Sequence, residues 1–124
     1  MKIGQTYLDG GVWHGRRIVP AAGVALSTSS KVEVSPETTG LSPDDFANVY
    51  IAAQDGYAWH INRLKVGDRV LQDYEATGNG GQLLIVVPQA DVVVAITAGN
   101  YGQVGIWTRW RDEIVAQQVL AAIR

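Results

Sequence analysis

Gln82-Leu83-Leu84-Ile85-Val86-Val87-Pro88-Gln89-Ala90-Asp91-Val92-Val93-Val94-Ala95-Ile96-Thr97 decides the fold. Two runs, 82–87 and 92–97, are almost wholly apolar and rich in branched side chains, and Pro88-Gln89-Ala90-Asp91 turns the chain between them. Short apolar runs bounded by turn residues read as strands buried on both faces. Upstream, 69–75 is another strand, and Val66-Gly67-Asp68 is the turn that precedes it. Before that turn, Tyr57, Trp59 and Ile61 alternate with Ala58, His60 and Asn62, which is the period of a strand over 57–63. Gly78-Asn79-Gly80-Gly81 interrupts the pattern between 69–75 and 82–87, as a bulge or tight turn before a buried strand does.

Helical signals lie on either side of this meander. Ile3, Tyr7 and Leu8 fall at helical intervals and Gly10-Gly11 stops that short helix. Trp13 and Ile18 flank the turn-like His14-Gly15, and Pro20 opens a weakly helical stretch over 21–26. The segment 27–42 holds Ser27, Ser29, Ser30, Ser35 and Ser42 with Pro36 and Gly40, has little apolar content after Val34, and reads as a loop. Ser42-Pro43-Asp44-Asp45 is a helix start: serine caps, proline suits the first position, and the acids face the positive end of the dipole. Phe46, Val49 and Tyr50 are its expected buried side. A final helix from about Thr108 to Ile123 carries two rows, Trp110/Ile114 and Val115/Val119/Ile123. The plan is α+β, an antiparallel β-meander with strands near 57–63, 69–75, 82–87 and 92–97, short N-terminal helices, and a C-terminal helix packed on the sheet.

The 124 residues suffice for one domain with one core. Lys and Arg number 10 against 12 Asp and Glu, a net charge of −2, so no basic field invites nucleic acid or an anionic membrane. Cysteine is absent, which removes disulfides, thiolate metal sites and cysteine nucleophiles together. The longest apolar runs are far too short to span a bilayer, and residues 1–6 contain no apolar stretch of signal-peptide length. The expectation is a soluble chain, cytoplasmic by default, with no cofactor.

Few residues suggest chemistry. His14 and His60 are far apart, and neither has a second histidine at helical spacing or a nearby pair of acids, so no metal site is expected. The glycines at 78–81 lead into a strand with no lysine following, the wrong context for a phosphate loop. No serine lies in a G-x-S-x-G elbow, and none has lysine three residues later; Lys31 follows Thr28 at that spacing, in a segment read as exposed loop. Asp44-Asp45 and Asp112-Glu113 are explained by helix-end electrostatics or exposure.

Ala76-Thr77-Gly78-Asn79-Gly80-Gly81-Gln82 and the apolar run to Pro88, followed by Asp91 and the run to Thr97, resemble the C-terminal part of the serine β-lactamase-like superfamily. That superfamily includes class C β-lactamases, penicillin-binding-protein-like transpeptidases and related esterases. The segment from Ile3 through Gly10-Gly11-Val12-Trp13-His14-Gly15 to Ile18 resembles its helix and G-x-W-x-G turn. Gly56-Tyr57-Ala58-Trp59 resembles its Y-G-x-G-W strand, and Trp110-Arg111-Asp112 the opening of its C-terminal helix. The segments occur in the family's order across nearly the whole chain. The resemblance implies that Ala76-Thr77-Gly78 is the third active-site motif (K-T-G or H-T-G) and that Asn79 donates a backbone N–H to an oxyanion hole. Gly80 and Gly81, with Gln82 beyond, would let the chain pass close to substrate.

Two departures accompany the match. The 124 residues contain neither the S-x-x-K that carries the nucleophile nor the Y-x-N that supports proton transfer, and Ala76 stands where the family has a cation. The resemblance therefore implies a partial fold over 1–124, with no catalytic residue in the chain and with family strands missing from beside 92–97. An unpaired edge at 92–97 and an uncovered apolar face on the Trp-rich helix are expected, and with them self-association, most simply as a symmetric dimer. Three readings stand: a non-catalytic remnant or C-terminal fragment of a serine hydrolase, one half of a split hydrolase that needs an N-terminal chain, or an unrelated structural or binding domain. The last predicts that 82–87 and 92–97 are not neighbours.

Overall fold

Six strands hydrogen-bond in chain order, each neighbouring pair antiparallel: β3 (Val32–Glu33), β4 (Gln54–Asp55), β5 (His60–Val66), β6 (Arg69–Gly78), β7 (Gln82–Val87) and β8 (Val92–Ile96). The structure, a computed structural model, describes residues 1–44, 46, 54–103 and 105–123. Helices α1 (Lys2–Leu8) and α2 (Ala21–Ser27) bracket a separate hairpin of β1 (Val12–Trp13) and β2 (Arg16–Arg17), and α3 (Pro36–Thr39) follows β3. The C-terminal helix begins as α4 (Ile106–Arg109) and continues as a π-helical stretch, Trp110–Leu120.

The α+β plan and the four strands β5–β8 are as the sequence predicts, with β7 matching in both bounds and β5 running three residues later than 57–63. The additional strands β3 and β4 are two residues each, too short to show a period, and β3 lies within the segment read as loop. So does α3, whose N-terminus carries a capping box: Thr38 donates its backbone N–H to the Ser35 hydroxyl, and the Ser35 N–H reaches Thr38 Oγ1 at 2.9 Å. The helix expected after Ser42 starts as predicted, with Phe46 N–H bonded to the Ser42 carbonyl at 2.8 Å. Val49 and Tyr50 lie outside the described residues.

Both faces of the sheet are covered, so alternation on one strand does not separate inside from outside. On one face Trp59, Ile61, Tyr74 and Val86 pack with Tyr7 and Leu8 of α1. On the other, Leu64, Val66, Leu71, Leu83, Ile85 and Val87 pack with Val115, Ala116 and Leu120 of the C-terminal helix. His60 and Asn62 therefore lie on a covered face of the sheet. They lie in register with Glu75 and Asp73 on the C-terminal-helix face, His60 half-buried and Asn62 buried.

Two helix faces differ from their sequence patterns. In α1 Tyr7 and Leu8 of the expected row pack on the sheet, but the fully buried residues are Gly4 and Thr6, and Ile3 is exposed. Gly4 lets the helix lie directly on β7 and β8, since a Cβ there would stand 2.7 Å from Val93 Cγ1 and 3.0 Å from Leu84 Cδ1. In the C-terminal helix the buried residues are Arg111, Val115, Ala116 and Leu120, and Ile123 is exposed. The wider i→i+5 winding spaces inward positions by four and five residues, which brings Arg111 in beside the half-buried Trp110. Arg69 Nη2 reaches the Leu120 carbonyl at 3.4 Å and adds a cation to the helix's negative end.

Gly4→Ala sets a gain in helix propensity of about 1 kcal/mol against overpacking on a stiff valine. The expected net loss is about 1–2 kcal/mol, read from urea unfolding, with α1 lifted off β8. A neutral or stabilising effect would show that the close approach is not obligatory.

Candidate functional site

Residues 76–82 form the end of the β6–β7 hairpin. Ala76, Thr77 and Gly78 close β6 in register with Leu84, Leu83 and Gln82, and Asn79-Gly80-Gly81 is the loop between the strands. Gly80 and Gly81 take φ of 85° and 86°, the left-handed region that side chains avoid. Asn79 is exposed, whereas Gly80 and Gly81 are buried. What approaches these two glycines is the protein itself. A Cβ at Gly80 would stand 3.0 Å from the Tyr101 ring, and one at Gly81 would stand 2.9 Å from Trp110 Nε1 and 3.1 Å from Ile106 Cγ2. Gln82 donates from Nε2 to the Ala98 carbonyl, and Asn100 N–H bonds the Gly80 carbonyl at 2.9 Å, so Ala98 and Asn100, with Tyr101, Ile106 and Trp110, fasten the loop from behind. The Trp-rich helix is correspondingly not a bare apolar face: Trp110 is half-buried and packs against the core.

Two residues before Thr77 lies a group that the sequence reading passed over. Leu71, Asp73, Glu75 and Thr77 share one face of β6. Asp73 and Glu75 are each 0% exposed and Arg111 is 5% exposed, all sealed under the C-terminal helix. Arg111 Nη1 donates to Glu75 Oε1 at 3.1 Å, and its Nε donates to Asp112 Oδ1 at 3.1 Å at the rim. Neither Asp73 oxygen meets a donor, nor does Glu75 Oε2. Burial raises both carboxyls, Asp73 to about 7 and Glu75 to about 8, against the opposing pull of the Arg111 charge. One guanidinium does not neutralise two buried acids, and a proton retained by the pair satisfies both charge and hydrogen bonding. A sequence signal existed in the two acids at i and i+2 on the face of Leu71.

At the end of the same face, His60 Nδ1 lies 2.6 Å from Asp55 Oδ1, an acid the sequence reading had not placed near it. His14 occupies the exposed β1–β2 turn with φ 48°, followed by Gly15 at 75°. Among the described residues no three His, Cys, Asp or Glu side chains converge as a metal cluster. Ser27, Ser29 and Thr28 donate their hydroxyls to the carbonyls of Val24, Leu26 and Val24, and Lys31 Nζ stands 5.7 Å from the centre of the Tyr57 ring. No helix among the described residues is long and apolar enough to cross a membrane. No protein-family model matches the chain, and no curated protein matches it in sequence.

The raised carboxyls fix the sign of a pH dependence. Their folded pKa values exceed the unfolded values near 4, so the stability they contribute is complete below about pH 4 and is lost as pH rises through 7–8. Unfolding free energy should therefore fall between about pH 4 and pH 8, by at most about 1.4 kcal/mol per pH unit per proton, and Glu75→Gln should flatten the fall. Arg111→Met should cost about 3–5 kcal/mol near pH 8 and clearly less near pH 5, where the acids are neutral. Denaturant melts across pH check both, and a stability that rises from about pH 4 to pH 8 would refute the assignment.

Proposed function

We propose that residues 76–82 are the substrate-edge wall of a serine β-lactamase-like acyl-transfer site, in a chain that is not itself catalytic. The observation that carries this reading is the place of Ala76-Thr77-Gly78 at the end of an inner strand, with exposed Asn79 leading the loop. The adjacency of β7 and β8 and the C-terminal helix behind them support it, since an unrelated domain was expected to separate those two strands. In this reading Asn79 offers a backbone N–H to a developing oxyanion. Gly80 and Gly81 serve the wall by admitting Tyr101 and Trp110 rather than substrate. Contact with a ligand then falls to Thr77, Gly78 and Asn79.

One donor of an oxyanion hole stabilises nothing unless a nucleophile is placed to form the tetrahedral intermediate. The hydroxyls of Ser27 and Ser29 are held by backbone carbonyls at 3.1 and 2.9 Å, and that of Ser35 donates to the exposed Glu37 carboxylate at 2.6 Å inside the α3 cap. Ala76 leaves the wall without the cation that would attract a substrate carboxylate, so binding is weak. A nucleophile and base, where this wall takes part in turnover, come from a segment outside these 124 residues.

A serine-directed fluorophosphonate, read by intact mass beside hydrolysis of a nitrophenyl ester, should give neither adduct nor turnover. A stoichiometric adduct on Ser27, Ser29 or Ser30 would overturn the reading. Titration with benzylpenicillin should shift the amide resonances of Thr77, Gly78 and Asn79 at millimolar ligand. Shifts elsewhere only, or none, would remove the wall.

A further inference from the structure

The outer edge of β8 is the open end of the sheet. Strand order places β8 last, and among the described residues no strand pairs beyond it. Sheet edges in soluble proteins are blunted by charge, proline, bulges or brevity. The sequence Val92-Val93-Val94-Ala95-Ile96 has none of these: five residues, regular in register with β7, without a charge or a proline. The opposite edge is blunted, because β3 is two residues long and carries Glu33. Both faces of β8 are occupied. Val93 lies under Gly4 of α1, while Val92, Val94 and Ile96 pack toward the core beneath the C-terminal helix. Among the described residues, what stays unmet is the row of backbone donors and acceptors along the edge, with Ala95 exposed.

We propose that this edge is the dimer interface of the protein, a second copy of β8 adding antiparallel across a two-fold axis to make one continuous sheet. The strand is self-complementary in that arrangement. With the axis at Val94, Val94 faces the partner subunit's Val94, Val92 faces the partner subunit's Ile96, and Val93 faces the partner subunit's Ala95. Asp91 then falls opposite the partner subunit's Thr97, so no like charges meet. Small Ala95 next to the branched valines leaves room on the α1 face. Because the other edge is short and charged, addition stops at two copies rather than running on as a fibre. A heterologous strand would find no better match here, since the pairing offers no charge for a foreign sequence to read.

Analytical ultracentrifugation of the full chain through the micromolar range should show a monomer–dimer equilibrium. Ala95→Lys should raise the dissociation constant about tenfold or more while leaving the far-UV spectrum and the melting of the monomer unchanged. Positions 95 of the two copies are diagonal neighbours on one face, about 7–8 Å apart. An equimolar mixture of Ala95→Lys and Ala95→Glu chains should therefore recover dimer that neither forms alone. Hydrogen exchange on the unmodified chain gives a reading that needs no variant: β8 amides should become protected as concentration rises. A monomer throughout the range, or a dimer whose β8 amides exchange independently of concentration, would overturn the proposal. Neither outcome bears on the wall at 76–82, which the ligand titration tests in the monomer.

Discussion

The contact between Arg111 and the acid pair of Asp73 and Glu75 is the constraint to which the rest of the structure answers. Burying two carboxylates beside one guanidinium is costly, and the cost is contained only while the helix keeps Arg111 aligned and the acids keep a proton. The apolar contacts of Val115, Ala116 and Leu120 with the sheet surround the cluster and exclude water from it. They also raise the penalty for any charge left unpaired inside. The π-helical winding belongs to this arrangement. It places Arg111, Val115/Ala116 and Leu120 on one side, so that the polar anchor and the apolar rows face β6 together.

The period of the chain was informative where one physical demand dominates. The apolar runs at 82–87 and 92–97 are strands because branched side chains buried on two faces leave little else for a six-residue segment to do. The signal failed where two demands overlap. Residues 57–63 alternate, but with α1 on one face and the C-terminal helix on the other, Asn62 is as buried as Ile61. Ile3, Tyr7 and Leu8 fall at helical intervals and the last two do pack, yet the close approach that seats the helix depends on the missing side chain of Gly4. Ser35-Pro36-Glu37-Thr38 carries the same cap-and-proline signature that was recognised at Ser42-Pro43. It was passed over because the surrounding composition read as loop.

The charged cluster was harder to see for a different reason. Asp73 and Glu75 stand two apart, which puts them on one face of a strand, but their partner is 36 residues beyond Glu75. Nothing local distinguishes a buried arginine in a helix from the exposed Arg109 beside it, which pairs with Glu113 one turn on. Only the packing of the helix on the sheet selects Arg111. A carboxylate on the same face as a core leucine is the trace such a site leaves in a sequence, and it names the acids without naming the cation.

The hairpin at 76–82 and the charged cluster are parts of one assembly. Glu75 is followed on its strand by the residues proposed as the wall, and Arg111 is preceded by Trp110, whose indole nitrogen fills the space in front of Gly81. The helix thus grips β6 and the loop after it through two adjacent residues, one polar and one aromatic. Tyr101 and the Gln82–Ala98 bond complete the hold from the same side. A hairpin with two left-handed glycines has many conformations available to it, and it is packing against Trp110 that selects one. The geometry that positions the Asn79 N–H is therefore a property of the assembled helix–sheet interface. Because Arg111 and Trp110 are adjacent on one helix, the bond to Glu75 and the packing on Gly81 share a single support.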